Sequence, residues 1–120
     1  MIPKFPNLFI IQGPGSPSVL TNVPVQIEQH VEWITNCINF IELNKKRSIE
    51  ASLSSAKNWS DEIKKLADAS LFMKAKSSWY KGDNIPGKPK VFIPYPGGLP
   101  RYRNICNKVE KNQYKEFLIK

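Results

Sequence analysis

The sequence predicts an α/β class, and two observations carry that reading. Short apolar runs bounded by glycine and proline turns alternate with stretches of helical period, in the order strand, helix, strand, helix, loop, strand, helix, strand. The longest stretch, Val23 to Leu43, repeats its aliphatic residues Ile27, Val31, Ile34, Ile38 and Ile41 at spacings of 4, 3, 4 and 3, one face of a 3.6-residue period. With 120 residues, 41% hydrophobic and 23% charged, there is room for one ordinary globular core.

Each element has its own justification. Leu8-Phe9-Ile10-Ile11, stopped by Gln12-Gly13-Pro14-Gly15, reads as a strand covered on both faces, because it is continuously apolar and ends in turn residues. Asn22 is a suitable cap for the long helix, and Pro24 fits a first helical turn, where its missing N–H has no intrahelical partner. Ser48 to Ser52 suits a short strand. Ser54 or Ser55 then caps a second helix with Trp59, Ile63, Leu66 and Leu71 inward. Lys74 to Lys90, with two glycines, two prolines and Ser77-Ser78, reads as a long loop, and a loop of that length inside a small domain tends to be functional or mobile. Val91 to Tyr95 reads as a strand and Pro96-Gly97-Gly98 as a turn. Leu99 to Val109 is then a helix with Leu99, Tyr102, Cys106 and Val109 inward, and Tyr114 to Ile119 a final strand.

Composition removes several function classes. Nothing approaches the roughly 20 apolar residues of a membrane span, and the run at Leu8 to Ile11 is too short for a signal-peptide core, so the reading is a cytoplasmic chain. Cys37 and Cys106 lie far apart with no second Cys or His at ligand spacing, which points to two reduced thiols and neither zinc nor a disulfide framework. The formal net charge of +8 suits an anionic partner, and a small basic module for nucleic acid is the competing reading. Acidic residues are interspersed among the lysines and arginines, however, which argues for a solvated basic surface instead. His30 is the single histidine, and a lone histidine on a helix is far more often a surface or packing residue than a catalyst. No nucleophile elbow, dinucleotide fingerprint or phosphate loop of the glycine-rich kinds occurs.

Three segments remain. Phe5-Pro6-Asn7-Leu8-Phe9 runs through Gly13-Pro14-Gly15-Ser16-Pro17 to Asn22-Val23, a strand feeding a helix start, where ligands of open α/β sheets gather. Ser78-Trp79-Tyr80-Lys81-Gly82 continues to Pro89 and sets an indole in a basic loop suited to a ribose or phosphate. Tyr95 to Arg103 is a basic strand-to-helix connection. By pattern alone the commoner readings are a structural turn for the first and a core plug for Trp79.

In this order the three segments resemble the end of Baeyer–Villiger monooxygenases of the phenylacetone and cyclohexanone type, the phenylacetone type being the closer likeness. The matching text is FPNLFIIQGPGSPSVLTNVPVQIEQHVEW, SSWYKGDNIPGKPKVFIPYPGGLPRYRNICNKV and YKEFLIK, with only Asn44 to Lys76 weakly diagnostic. The resemblance implies the C-terminal part of a flavoprotein with two dinucleotide domains. It implies a partial FAD-binding domain holding one buried parallel strand, with residues 1–43 as strand, turn and helix, 74–90 as a mobile NADP-contacting loop, and 91–120 as a terminal strand, helix and strand. Such enzymes use NADPH to reduce a bound FAD and insert one oxygen atom of O2 beside a ketone carbonyl, forming esters or lactones. Carried over by position, Asn22 and Val23 lie at the flavin edge, Ser18, Val19 and Leu20 shape the substrate pocket, and Trp79 contacts the NADP ribose. The family's FAD and NADP glycine motifs, its fingerprint and its catalytic arginine have no counterpart here. The expectation is therefore a truncated gene product, part of a split gene or a partial chain, inactive alone and partnered by a missing N-terminal FAD/NADP-binding part. A decayed remnant without activity is a third reading.

Overall fold

A computed structural model describes residues 1–75, 78–82 and 85–120, with the backbone alone at Val19. Helix α1 spans Val23–Leu43, as its sequence period predicts, and the Asn22 side chain accepts a hydrogen bond from the Val25 N–H at 3.3 Å. A short strand β1 (Ile49–Ala51) leads into α2 (Leu53–Asp68), and α3 (Leu99–Lys111) into β2 (Phe117–Ile119). The two strands pair antiparallel, with Ile49 opposite Ile119, Glu50 opposite Leu118 and Ala51 opposite Phe117. Two apolar clusters hold the described residues together. Ile63, Ala67, Phe92 and Tyr95 form one, beneath α2; Cys37, Ile49 and Tyr114 form the other, between α1 and the strands.

The α/β reading survives in reduced form, and the buried parallel strand does not. Leu8 to Ile11 forms no ladder among the described residues, and Leu8, Ile10 and Ile11 are exposed. A strand covered on both faces needs neighbours on both sides, and here β1 is met by Asn7 instead. The Asn7 N–H donates to Ile49 O, and its side-chain oxygen accepts from the Ile49 N–H at 3.0 Å. Val91 to Tyr95 likewise pairs with no strand among the described residues. The final strand is shorter than the sequence suggests, because Gln113 and Tyr114 have positive φ (57° and 54°) and turn the chain before it can extend.

The inward face of α1 also differs from the aliphatic stripe. Gln26, Gln29, His30 and Cys37 are buried, whereas Ile27, Val31 and Ile38 are between 37% and 46% exposed. The face is rotated by one residue, about 100° of helix. Aromatic and polar contacts select it: the Trp33 indole N–H donates to Cys106 O at 3.1 Å, its ring meets Tyr114 edge-on at 5.4 Å, and the Asn36 amide donates to Glu110 at 3.1 Å. A row of aliphatic residues on α1 is thus left uncovered by the described residues.

The start of α2 is a third correction. Ser52, in extended backbone (φ −69°, ψ 153°), accepts from the Ser55 N–H at 3.0 Å, so the cap lies upstream of Ser54 and Ser55. Trp59, Ile63 and Leu66 do face the core, while Leu71 begins a separate 3-10 turn, Leu71–Lys74, and is exposed. Ser52→Ala is expected to cost about 1 kcal/mol and Ser54→Ala under about 0.5 kcal/mol in urea unfolding. Equal losses would contradict this cap.

Candidate functional site

The turn from Gly13 to Thr21 is shaped by residues that hold unusual backbone. Gly15 has φ +83°, and a Cβ there would come within 2.6 Å of the Trp59 indole nitrogen, which donates to Gly15 O at 3.1 Å. Ser18 has φ 50°, a strained value for a residue with a side chain, and opens a 3-10 turn, Ser18–Leu20. Leu20 packs on the cluster beneath α2. The turn delivers the chain to Asn22 and Val23 at the positive end of α1.

The N-terminus of α1 has spare donors. Pro24 has no N–H, the Val25 N–H is taken by the Asn22 side chain, and that of Gln26 by Asn22 O at 3.2 Å. Among the described residues no acceptor meets the N–H groups of Asn22 and Val23. Two adjacent amide donors at a helix start suit the carbonyl or anionic oxygens of a ligand.

Trp79 opens a 3-10 turn, Trp79–Lys81, that begins with Ser78 accepting from the Tyr80 N–H and ends at Gly82 in left-handed backbone (φ 68°). Trp79 is 60% exposed, and its ring centre lies 4.1 Å from that of Tyr80. It therefore does not plug the core. The predicted loop 74–90 includes Lys76, Ser77, Asp83 and Asn84, which lie outside the described residues.

The remaining candidates resolve into structural roles. Both cysteines are free thiols, and burial, aided by Glu110, pushes the Cys37 thiol up to about 11. Arg101 pairs with Glu62, and Lys57 and Lys64 pair with Asp61 and Asp68 along α2, so the basic residues there are interleaved with acids. No cluster of metal-ligating side chains forms among the described residues, and no helix is long and apolar enough to cross a membrane. A largely apolar cavity of about 420 Å³ opens between the three helices, walled by Trp33, Trp59, Tyr102 and Phe117. Neither Ser18, Leu20, Asn22, Val23 nor Trp79 lines it.

His30 is a packing residue, as a lone helical histidine most often is. It is buried, 5.6 Å from the Tyr102 ring, and its Nδ1 accepts from the Gln12 N–H at 3.1 Å. The neutral ring must then carry its proton on Nε2, 3.5 Å from the Gln26 amide, and it needs an acceptor there. The Gln26 oxygen, otherwise buried without a partner, supplies one when the amide is turned toward the ring. Sequence reasoning missed Gln26 and Gln29 because glutamines on a helix ordinarily face water.

Comparison with known proteins decides the kinship. Cyclohexanone 1,2-monooxygenase from Acinetobacter sp. is 38% identical over 114 residues, covering 95% of this chain and 20% of that enzyme. A Baeyer–Villiger monooxygenase from Pseudooceanicola batsensis matches at the same identity and coverage. The chain is homologous to one fifth of a Baeyer–Villiger monooxygenase. The crystal structure of cyclohexanone monooxygenase from Rhodococcus sp. Phi1, bound to NADP+, superposes on 100% of this chain and 22% of its own, with a TM-score of 0.92 at 37% identity. No protein-family model matches.

Burial is the main cause that lowers the affinity of His30 for a proton in the folded state, and the positive amino terminus adds to it. The unfolded chain then binds more protons below the ordinary histidine value of 6.5, so this contribution to stability is complete above that pH and is lost as pH falls toward the lowered value. Between about pH 7.5 and about pH 5, the thermal midpoint of the native chain is expected to fall further than that of His30→Gln. Parallel curves would remove His30 from the account.

Proposed function

We propose that this chain is the C-terminal part of a flavin- and NADPH-dependent Baeyer–Villiger monooxygenase that converts ketones to esters or lactones when the preceding part is supplied in the same or another chain. The observation that carries the proposal is the match itself: nearly all of this chain corresponds to one fifth of enzymes of that class. The uncovered aliphatic face of α1 supports it, since a helix apolar on two sides belongs inside a larger body.

Within such an enzyme the flavin supplies the oxygen-transfer chemistry and NADPH the hydride. Residues of this chain orient and enclose those groups. The unpartnered N–H groups of Asn22 and Val23 fit the carbonyl oxygens of a flavin ring, with the helix dipole favouring the negative charge that collects there. The strained Ser18–Leu20 turn, including Val19, shapes the ketone pocket beside them. The exposed Trp79 ring covers the NADP ribose, and its indole N–H, which meets no acceptor among the described residues, hydrogen-bonds that sugar. Residues 1–43 thus form the flavin-side unit, 74–90 the NADP-contacting loop and 91–120 the terminal support. FAD and NADP binding falls mainly to the preceding part, because no glycine-rich phosphate cradle occurs in this sequence.

The test is a chimera in which this chain replaces the corresponding fifth of the Acinetobacter cyclohexanone monooxygenase. Stoichiometric FAD and ketone-dependent NADPH oxidation are expected, with neither from the 120-residue chain alone. In the chimera, Trp79→Ala is expected to raise the KM for NADPH on the order of tenfold while FAD occupancy stays unchanged. Equal loss of both would contradict the loop assignment, and FAD-dependent turnover by the isolated chain would contradict the requirement for a preceding part.

A further inference from the structure

Val91 to Tyr95 pairs with no strand among the described residues, yet its backbone makes four hydrogen bonds to two separate turns. Ile93 donates its N–H to Tyr80 O at 2.8 Å and accepts at its carbonyl from the Gly15 N–H at 2.9 Å. On either side, the Val91 N–H donates to Lys81 O at 3.1 Å and the Tyr95 N–H to Ser16 O at 2.7 Å. Four hydrogen bonds therefore join the Trp79–Lys81 turn to the turn that leads through Ser18 to Asn22, and one residue, Ile93, carries a bond to each.

Side chains reinforce both ends. Phe92, buried, lies against Phe72 at 5.3 Å and Tyr80 at 6.3 Å. Tyr95, fully buried, stacks on Trp59 at 4.9 Å with an interplanar angle of 15°, and Trp59 in turn holds Gly15 O. Gly97 closes over the Tyr95 ring so tightly that a Cβ would lie 2.5 Å from it. Leu20 and Tyr80 pack on the one cluster that contains Phe92 and Tyr95. Neither turn can shift far without breaking contacts that the strap shares with the other.

We propose that Val91–Tyr95 is a positioning strap, anchored by Tyr95, that holds the Trp79 turn and the Gly15–Leu20 turn as a single mechanical unit. Its consequence for catalysis rests on the monooxygenase reading; the linkage itself does not. Displacement of the nicotinamide-side turn is transmitted to the ketone-side turn through Ile93.

Native-state hydrogen exchange of the unmodified chain tests the linkage. The amides of Gly15, Val91, Ile93 and Tyr95 are expected to follow one opening isotherm as denaturant rises. Separate openings for Gly15 and Tyr95 on the one hand and Val91 and Ile93 on the other, or no protection at any of them, would overturn the strap. In the chimera, Tyr95→Ala is expected to raise KM for NADPH and for ketone together, each on the order of tenfold, with FAD occupancy unchanged. Tyr95→Phe is expected to restore both, because the buried Tyr95 hydroxyl has no partner to lose. A change in only one KM would also overturn the proposal. A chimera without turnover whose four amides still open together would count against the monooxygenase reading and leave the linkage standing.

Discussion

Helix α1 carries apolar residues on two faces, and the described residues cover only one of them. The face carrying Trp33, Cys37 and Phe40 is settled against α3, Tyr114 and the strand pair, while Ile27, Val31 and Ile38 look outward from the other side. Full burial of each such aliphatic side chain is worth about 1.5–3 kcal/mol, so leaving a row of them in water is a constraint on the whole fold. Leu8, Ile10 and Ile11, just upstream, are exposed as well, while Phe9 packs on the cluster of Cys37, Ile49 and Tyr114. Both features fit the proposed reading, in which further chain covers them.

Much of the fold was legible because it is written locally. Asn22, Pro24 and the long period define α1 to its terminal residues, and Ser48 to Ser52 and Leu99 to Val109 locate a strand and a helix within a few positions. The two misread strands share one cause. Leu8 to Ile11 and Val91 to Tyr95 have the composition of strands, but a strand is made by its partners, and these segments find turns and loops instead. The face of α1 was misplaced because aliphatic periodicity marks faces that can be buried, and aromatic and amide contacts chose between two of them. Ser52 was overlooked for Ser54 or Ser55 because three serines within four positions offer several caps and only backbone geometry selects one.

The candidate site was legible by resemblance more than by chemistry. Nothing in the pattern of Ser18, Leu20, Asn22, Val23 and Trp79 marks them as a group, and the structure joins them indirectly, through the segment at Ile93. That segment has no motif, and its role depends on backbone bonds invisible in sequence. No glycine-rich phosphate cradle occurs in the sequence, and the chain spans about one fifth of the enzymes it matches.

The proposed function requires the outward face of α1 to meet the remainder of the enzyme. The most direct measurement is calorimetric titration of this chain into the separately expressed preceding four-fifths of the Acinetobacter enzyme, loaded with FAD, at several temperatures. Saturable binding with a clearly negative heat-capacity change, diminished by Val31→Lys, is the expected result, since apolar surface leaves water on association. Binding with no heat-capacity change, or no binding from a folded chain, would contradict the account.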